Sequence, residues 1–232
     1  MGGQAPAGCV CGVGHFVPLT RRTLALALML GGLVWLSCAA PLREQRMYPA
    51  LQERHFELHK LAVAPFQAGR PVIRASDRQP VDPAAAALVS KQVTEALRAR
   101  GIEVVTPDDL RTAADPAATP TDTLDPARLV SVASQQFGAD AVLIGTVSRW
   151  RTRVGENLGA SRAAGVGFEV TLLRTPDGAK LWSAVFDETQ LPITDNFFNV
   201  FRYPGGGTRW LTAEELSQWG ASEVAQAMPT SS

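Results

Sequence analysis

The sequence lacks an apolar run long enough to cross a membrane. Its longest apolar segment without a charge is 24–36, and these 13 residues would form roughly 20 Å of helix, against roughly 30 Å of hydrocarbon core. Arg21 and Arg22 precede the segment. A basic region followed by a short apolar segment is typical of a signal peptide, which we predict over residues 1–37. The paired arginines also fit a twin-arginine signal, although the Sec export route is favoured. The true start of translation is either Met1 or a position nearer Val17.

Cysteine is scarce as well, with three in 232 residues. Two lie in the predicted signal peptide, and Cys38 ends the stretch "VWLSC". This stretch resembles the bacterial lipobox, which implies that Cys38 is acylated, that the signal is cut just before it, and that its acyl chains anchor the protein in a lipid bilayer. Ala39 follows, where aspartate would be the usual inner-membrane retention signal, so the resemblance implies the outer membrane, facing the periplasm. The alternative is that Cys38 is a small buried apolar residue at the end of the signal.

An excess of charge of either sign is also lacking. The full chain has 22 basic and 22 acidic residues; removal of residues 1–37 leaves 232 − 37 = 195 residues and a charge of 20 − 22 = −2. This balance gives no reason to expect nucleic acid or an anionic membrane surface as a partner. A chain acylated at Cys38 would keep no thiol, which excludes disulfides and cysteine catalysis, so a hydrophobic core must hold the fold.

Short apolar segments alternate with helical patterns after the signal. We interpret 38–58, with its two prolines, as a lipidated N-terminus and tether, and 59–232 as a single domain. The predicted order is β-α-β-(α)-α-β-β-β-α, an α/β fold (α+β, mixed sheet) of two or three layers, closed by a helix over 212–228. The stretch 155–165 is predicted as a glycine loop, and Pro-Asp-Gly at 176–178 as the turn of an antiparallel hairpin.

Two phrases carry a resemblance to a group of bacterial envelope lipoproteins. They are Gly138-Ala139-Asp140 leading to Gly145, and Gly101 to Val104 after a helix. The group includes the curli secretion protein CsgG, the penicillin-binding-protein activator LpoB and the amino-terminal domain of TolB, and the resemblance covers roughly 59–190. It implies a non-enzymatic outer-membrane lipoprotein that binds protein partners in envelope assembly or maintenance. The alternatives are an oligomeric subunit of a secretion or trafficking assembly, and an envelope hydrolase; long membrane hairpins are not evident in the sequence.

Two stretches are candidates for partner binding. Strand alternation places Trp150 on one face of an emerging strand and Arg149 and Arg151 on the other, which would suit an exposed edge. The alternative is that Trp150 packs under a helix. The second stretch contains Phe197, Phe198 and Tyr203, which would either form an interface or fold back as a lid on the sheet.

Other motifs do not support a catalytic, cofactor or metal site. His55 and His59 are four residues apart, but Glu57 between them would point away on a helix, so we predict no metal site there. The glycines at 165–167 and 205–207 lack the strand, tight turn and helix N-terminus of a phosphate loop, and loop flexibility explains them better. Acidic pairs fall in first helical turns, where the helix dipole accounts for them.

Overall fold

The computed structural model describes residues 42–52, 56–69, 80–119, 122–156, 158–175, 177–191, 203–204 and 209–231. The predicted signal peptide, the lipidation site Cys38, and His55, Phe197 and Phe198 lie outside these ranges. Within the described part of the chain, no helix has both the length and the apolar character needed to cross a bilayer.

A mixed β-sheet forms the centre of the domain. Its strands are β1 (Leu42–Met47), β2 (Lys60–Val63), β3 (Gln67–Ala68), β4 (Glu103–Val105), β5 (Ala141–Arg151), β8 (Gly165–Arg174) and β9 (Lys180–Thr189), and a separate hairpin joins β6 (Val154–Glu156) to β7 (Gly159–Arg162). The strand order in the sheet is β1-β9-β8-β5-β2-β4, with β3 also paired to β5. Strand β2 runs parallel to both β4 and β5, whereas β5, β8, β9 and β1 pair antiparallel in succession.

The described residues form five helices, of which the last four match the helices of the predicted order and the first was not predicted. They are α1 (Pro49–Gln52), α2 (Pro83–Ala99), α3 (Pro107–Ala114), α4 (Pro126–Phe137) and α5 (Ala213–Ala227). The Asp82 carboxylate accepts a hydrogen bond from the Ala84 amide at 2.9 Å and so caps α2. A capping box formed by Thr212 and Glu215 starts α5. Gly138 ends α4 with φ +62°, a conformation that favours glycine.

Helices cover both faces of the parallel part of the sheet. The larger apolar cluster packs α2 and α5 against one face, and its largest fully buried side chains include Trp182, Phe168 and Phe186. A second cluster packs α3 and α4 against the other face, around Leu110, Leu129 and Val142. This arrangement makes a three-layer α/β domain and confirms the predicted fold class.

Asp140 of the Gly-Ala-Asp phrase has a structural role. Its carboxylate oxygen Oδ2 accepts hydrogen bonds from the backbone amides of His59 and Lys60, each at 2.8 Å. The Asp140 amide in turn donates to the Lys60 carbonyl at 2.8 Å. The side chain thus satisfies amides at the start of β2 that the sheet leaves unpaired. Strand packing therefore accounts for the aspartate in this phrase.

The predicted tether is wrong for most of its length. Residues Leu42–Met47 form the edge strand β1, paired antiparallel with β9, and the next turn places Leu51 in the core. Phe56 and Leu58 are also buried. The charged sequence of β1 concealed its strand character, because an edge strand needs one paired side and tolerates polar side chains on its exposed surface.

The predicted order of elements from residue 60 onward is otherwise confirmed. The short strand β3 was not predicted, and most of the predicted glycine loop at 155–165 forms the β6–β7 hairpin. Gly165 and Gly167 belong to β8, so loop flexibility is the wrong explanation for this pair.

Candidate functional site

Four strand termini meet at one end of the sheet, which we call the arginine end. It comprises the start of β1, the end of β5, the start of β8 and the end of β9. A bulge after Val147 shifts the register of β5, so that Arg149 lies opposite Gly167 and Arg151 opposite Gly165. Trp150 lies opposite the buried Val166 and packs against the larger apolar cluster. The strand therefore separates arginines from tryptophan as predicted, and the tryptophan belongs to the packed face.

Gly165 and Gly167 make room for the arginines to reach across β8. A Cβ atom added to Gly167 would lie 3.1 Å from the Asp187 Oδ1 atom and 3.3 Å from the Arg149 Cβ atom. A Cβ atom added to Gly165 would lie 3.0 Å from the Thr189 hydroxyl oxygen. All three distances are tighter than ordinary van der Waals contact. The two glycines thus leave a shallow furrow on the sheet surface in which guanidinium groups lie.

An ion-pair network crosses this furrow. The Arg149 Nη2 atom lies 2.5 Å from Asp187 Oδ1 and donates to the Glu188 carbonyl at 2.9 Å. Arg43 on β1 pairs with the other oxygen of Asp187. Asp187 is thus shared by arginines from β1 and β5, on opposite sides of β9. Its charge-assisted hydrogen bond with Arg149 joins β9 to β5, which are not neighbours in the sheet.

Tyr203, predicted either to bind a partner or to fold back as a lid, does not offer an exposed aromatic surface. It is only 4% exposed, and its hydroxyl donates to Glu188 Oε1 and accepts from the Leu191 amide, each at 3.1 Å. Its ring meets the Trp219 ring edge-on, with the centroids 5.6 Å apart. Tyr203 therefore agrees with the lid alternative: it packs over the end of β9 and satisfies polar groups there.

A groove of about 500 Å³ lies beside α2, at the carboxyl ends of β2 and β4. Pro65, Phe66, Ala87, Leu88 and Pro107 supply its apolar surface. Charged side chains border it in pairs: Lys91 with Glu95 on α2, and Arg111 with Asp108 at the start of α3. The groove thus combines an apolar surface with charges of both signs that already have partners.

Two carboxyl groups outside the groove have displaced pKa values. Hydrogen bonds from Arg174, together with the amide of Ala179, lower the pKa of Asp177 to about 2. The pKa of Glu215 is also lowered, chiefly because Arg209 donates a hydrogen bond to it. Both are carboxylates stabilised by an adjacent arginine, at a hairpin turn and at a helix start. Their shifts have structural causes.

Sequence reasoning found Arg149, Trp150 and Arg151 but missed Asp187. The aspartate lies 38 residues after Arg149, and only the pairing of β5, β8 and β9 brings the two side chains together. The alternating glycines at 165 and 167 could have pointed to this site, because glycine inside a strand often marks a place where another group approaches the backbone closely. His59 lies 3.3 Å from Glu57, and the described residues contain no group of three or more metal-ligating side chains.

The fold and these surfaces define a three-layer mixed α/β domain with an ion-paired sheet end and a lateral groove. No protein-family model and no curated protein matches the chain. Among solved structures, the PelC dodecamer from Paraburkholderia phytofirmans is similar at 18% identity and a TM-score of 0.44, over 80% of this chain and 97% of that chain.

Two further solved structures have similar scores. Lipoprotein GNA1162 from Neisseria meningitidis aligns at 19% identity and a TM-score of 0.39, over 56% of this chain and 80% of that chain. The LpoB C-terminal domain from Salmonella enterica aligns at 18% identity and a TM-score of 0.37, over 61% of this chain and 91% of that chain. Likeness at this level does not establish family membership or function.

Proposed function

We propose that this protein is an outer-membrane lipoprotein, anchored through acylated Cys38, whose domain binds a protein partner in envelope assembly or maintenance and catalyses no reaction. The lipobox-like "VWLSC" supports the anchor. The groove beside α2 is the observation that carries the binding role.

The groove suits a polypeptide segment better than a small reactive molecule. The charged groups at its border pair with each other, while Arg98 and Arg111 donate to the backbone carbonyls of Val104 and Ala118 at 3.3 and 2.5 Å. Because these charged groups already have partners, they form a rim around the apolar surface of Ala87 and Leu88. An apolar trough with a mixed-charge rim is how helical and extended peptide segments are commonly bound.

Site-specific crosslinking tests the binding role. A photo-crosslinking side chain at Lys91, on the rim, should capture one discrete envelope protein in intact cells, whereas the same group at exposed Gln226 on α5 should not. Ala87→Arg fills the groove from an exposed helical position and should abolish that product without unfolding the domain. Identical products from both probes, or a product at Lys91 that survives Ala87→Arg, would count against the groove.

The anchor has a separate test. Cys38→Ala should shift the protein from the outer-membrane fraction to the soluble periplasmic fraction, because the acylated thiol is lost. Cys38→Ala protein that stays as firmly membrane-bound as the wild type would contradict the lipobox interpretation.

A further inference from the structure

The sheet begins very close to the proposed anchor. Leu42 is buried at the start of β1, opposite Phe186, and it is four residues after Cys38. Four peptide units span at most roughly 14 Å, whereas a domain of this length is roughly 40 Å across. An acylated Cys38 would therefore hold the arginine end close to the bilayer and leave the opposite end of the sheet away from it. This step rests on the proposed acylation of Cys38.

Exposed apolar side chains concentrate at the same end. Of four large apolar residues exposed in the described part of the chain, three lie here: Leu158 is 89% exposed at the tip of the β6–β7 hairpin, Val154 is 48% exposed on β6, and Leu191 is 48% exposed just after β9. The fourth, Met47, lies at the far end of β1. Exposed apolar side chains grouped on one side of a domain mark an interaction surface.

Basic residues surround these apolar side chains. Residues 149–162 contain four arginines and one glutamate, a local charge of +3 in a chain that is −2 after removal of the signal. Part of this charge is neutralised, because Asp187 pairs with Arg149. Arg162 on β7 is exposed, and Arg43 at the start of β1 is exposed although it also pairs with Asp187. An apolar tip flanked by arginines suits the boundary between acyl chains and phosphate headgroups.

We propose that the β6–β7 hairpin and Leu191 contact the phospholipid surface in which the acyl chains of Cys38 are embedded. Leu158 and Val154 enter the headgroup region, and Arg162 approaches lipid phosphates. This second contact, beside the covalent anchor, fixes how the domain is oriented on the membrane. None of the residues that line the groove beside α2 belongs to this proposed membrane contact.

The test uses a fluorescent probe in the mature lipoprotein. A protein acylated at Cys38 has no other thiol, so Leu158→Cys can be labelled alone with an environment-sensitive dye. The labelled protein is reconstituted into vesicles of phosphatidylethanolamine and phosphatidylglycerol, with and without a lipid that carries a quencher near the headgroups. Met47→Cys, exposed at the opposite end of β1, is the matched control. Flotation of the same samples measures the anchor independently of any protein partner.

We expect the emission of the dye at position 158 to shift to shorter wavelength when the protein binds vesicles. The quenching lipid should remove most of the fluorescence of this dye. The dye at position 47 should change little in either measurement. Protein that floats with vesicles while both dyes keep their emission in water would overturn the proposed contact and leave the anchor intact. Protein that does not float would overturn the anchor, and the contact with it. Both of these contrary results are independent of whether the groove beside α2 binds a protein partner.

Discussion

Gly220→Ala tests how tightly α5 packs on the sheet. Glycine in a helix interior is about 1 kcal/mol less favourable than alanine, so helix propensity alone predicts a more stable protein. The structure predicts the opposite. A Cβ atom at Gly220 would lie 2.7 Å from the Phe186 Cδ1 atom and 2.8 Å from Cε1. Such a distance forces either the ring or the helix to move.

Phe186 has little room to move. The ring is fully buried, with the centroid of Phe168 at 5.3 Å and that of Trp219 at 5.5 Å. Overpacking of this kind costs about 1–3 kcal/mol, and the close contact with a rigid ring favours the upper part of that range. After subtraction of the gain in helix propensity, we expect Gly220→Ala to lower the free energy of unfolding by about 2 kcal/mol.

Urea unfolding followed by circular dichroism measures this change. Gln218→Ala, at an exposed position of the same helix, should alter the free energy of unfolding by less than about 0.5 kcal/mol and serves as the control. Phe186→Leu should cost less in the Gly220→Ala protein than in the wild type, because the smaller side chain relieves the contact. A Gly220→Ala protein as stable as the wild type, or more stable, would refute the packing argument.

Two further predictions concern the ion pairs. Because Arg174 lowers the folded-state pKa of Asp177 to about 2 from a usual 3.8, this pair stabilises the fold above pH 4 and stops doing so as the pH falls towards 2. Asp177→Asn should therefore flatten acid unfolding profiles over that window, and an unchanged profile would contradict the assignment. Asp187→Ala leaves the partly buried Arg149 without its carboxylate and should cost about 1–3 kcal/mol in urea unfolding. Glu44→Ala, which breaks an exposed pair, should cost under about 1 kcal/mol, so equal effects would argue against a structural role for Asp187.

Much of the secondary structure could be predicted because its signals are local. Asp82 before Pro83 starts α2, the Thr212 and Glu215 pair starts α5, and the apolar run after Asp140 forms β5. Each of these signals lies within a few residues of the element it determines. The order of elements, and with it the mixed α/β class, follows from such short-range rules.

The candidate surfaces depended on contacts between distant parts of the chain. The polar sequence of β1 predicts a tether, and only its pairing with the edge of β9 shows that it is a strand. Asp187 meets Arg43 and Arg149 only when four strands, β1, β9, β8 and β5, pair side by side. The glycines of β8 are explained only by the side chains that then lie over them. Backbone pairing at a sheet edge imposes few requirements on side chains, so it leaves little trace in a single sequence.

The sequence by itself predicts where this protein is attached, because the predicted signal peptide and the lipobox-like "VWLSC" are continuous stretches. It also determined the succession of helices and main strands from residue 60 onward. Only the tertiary structure decided that the chain folds into the sheet from Leu42 onward, four residues after Cys38, and that Leu158 and Leu191 lie at the same end of the domain. Side chains more than 100 residues apart along the chain become neighbours only when the strands pair, and no local pattern records that pairing.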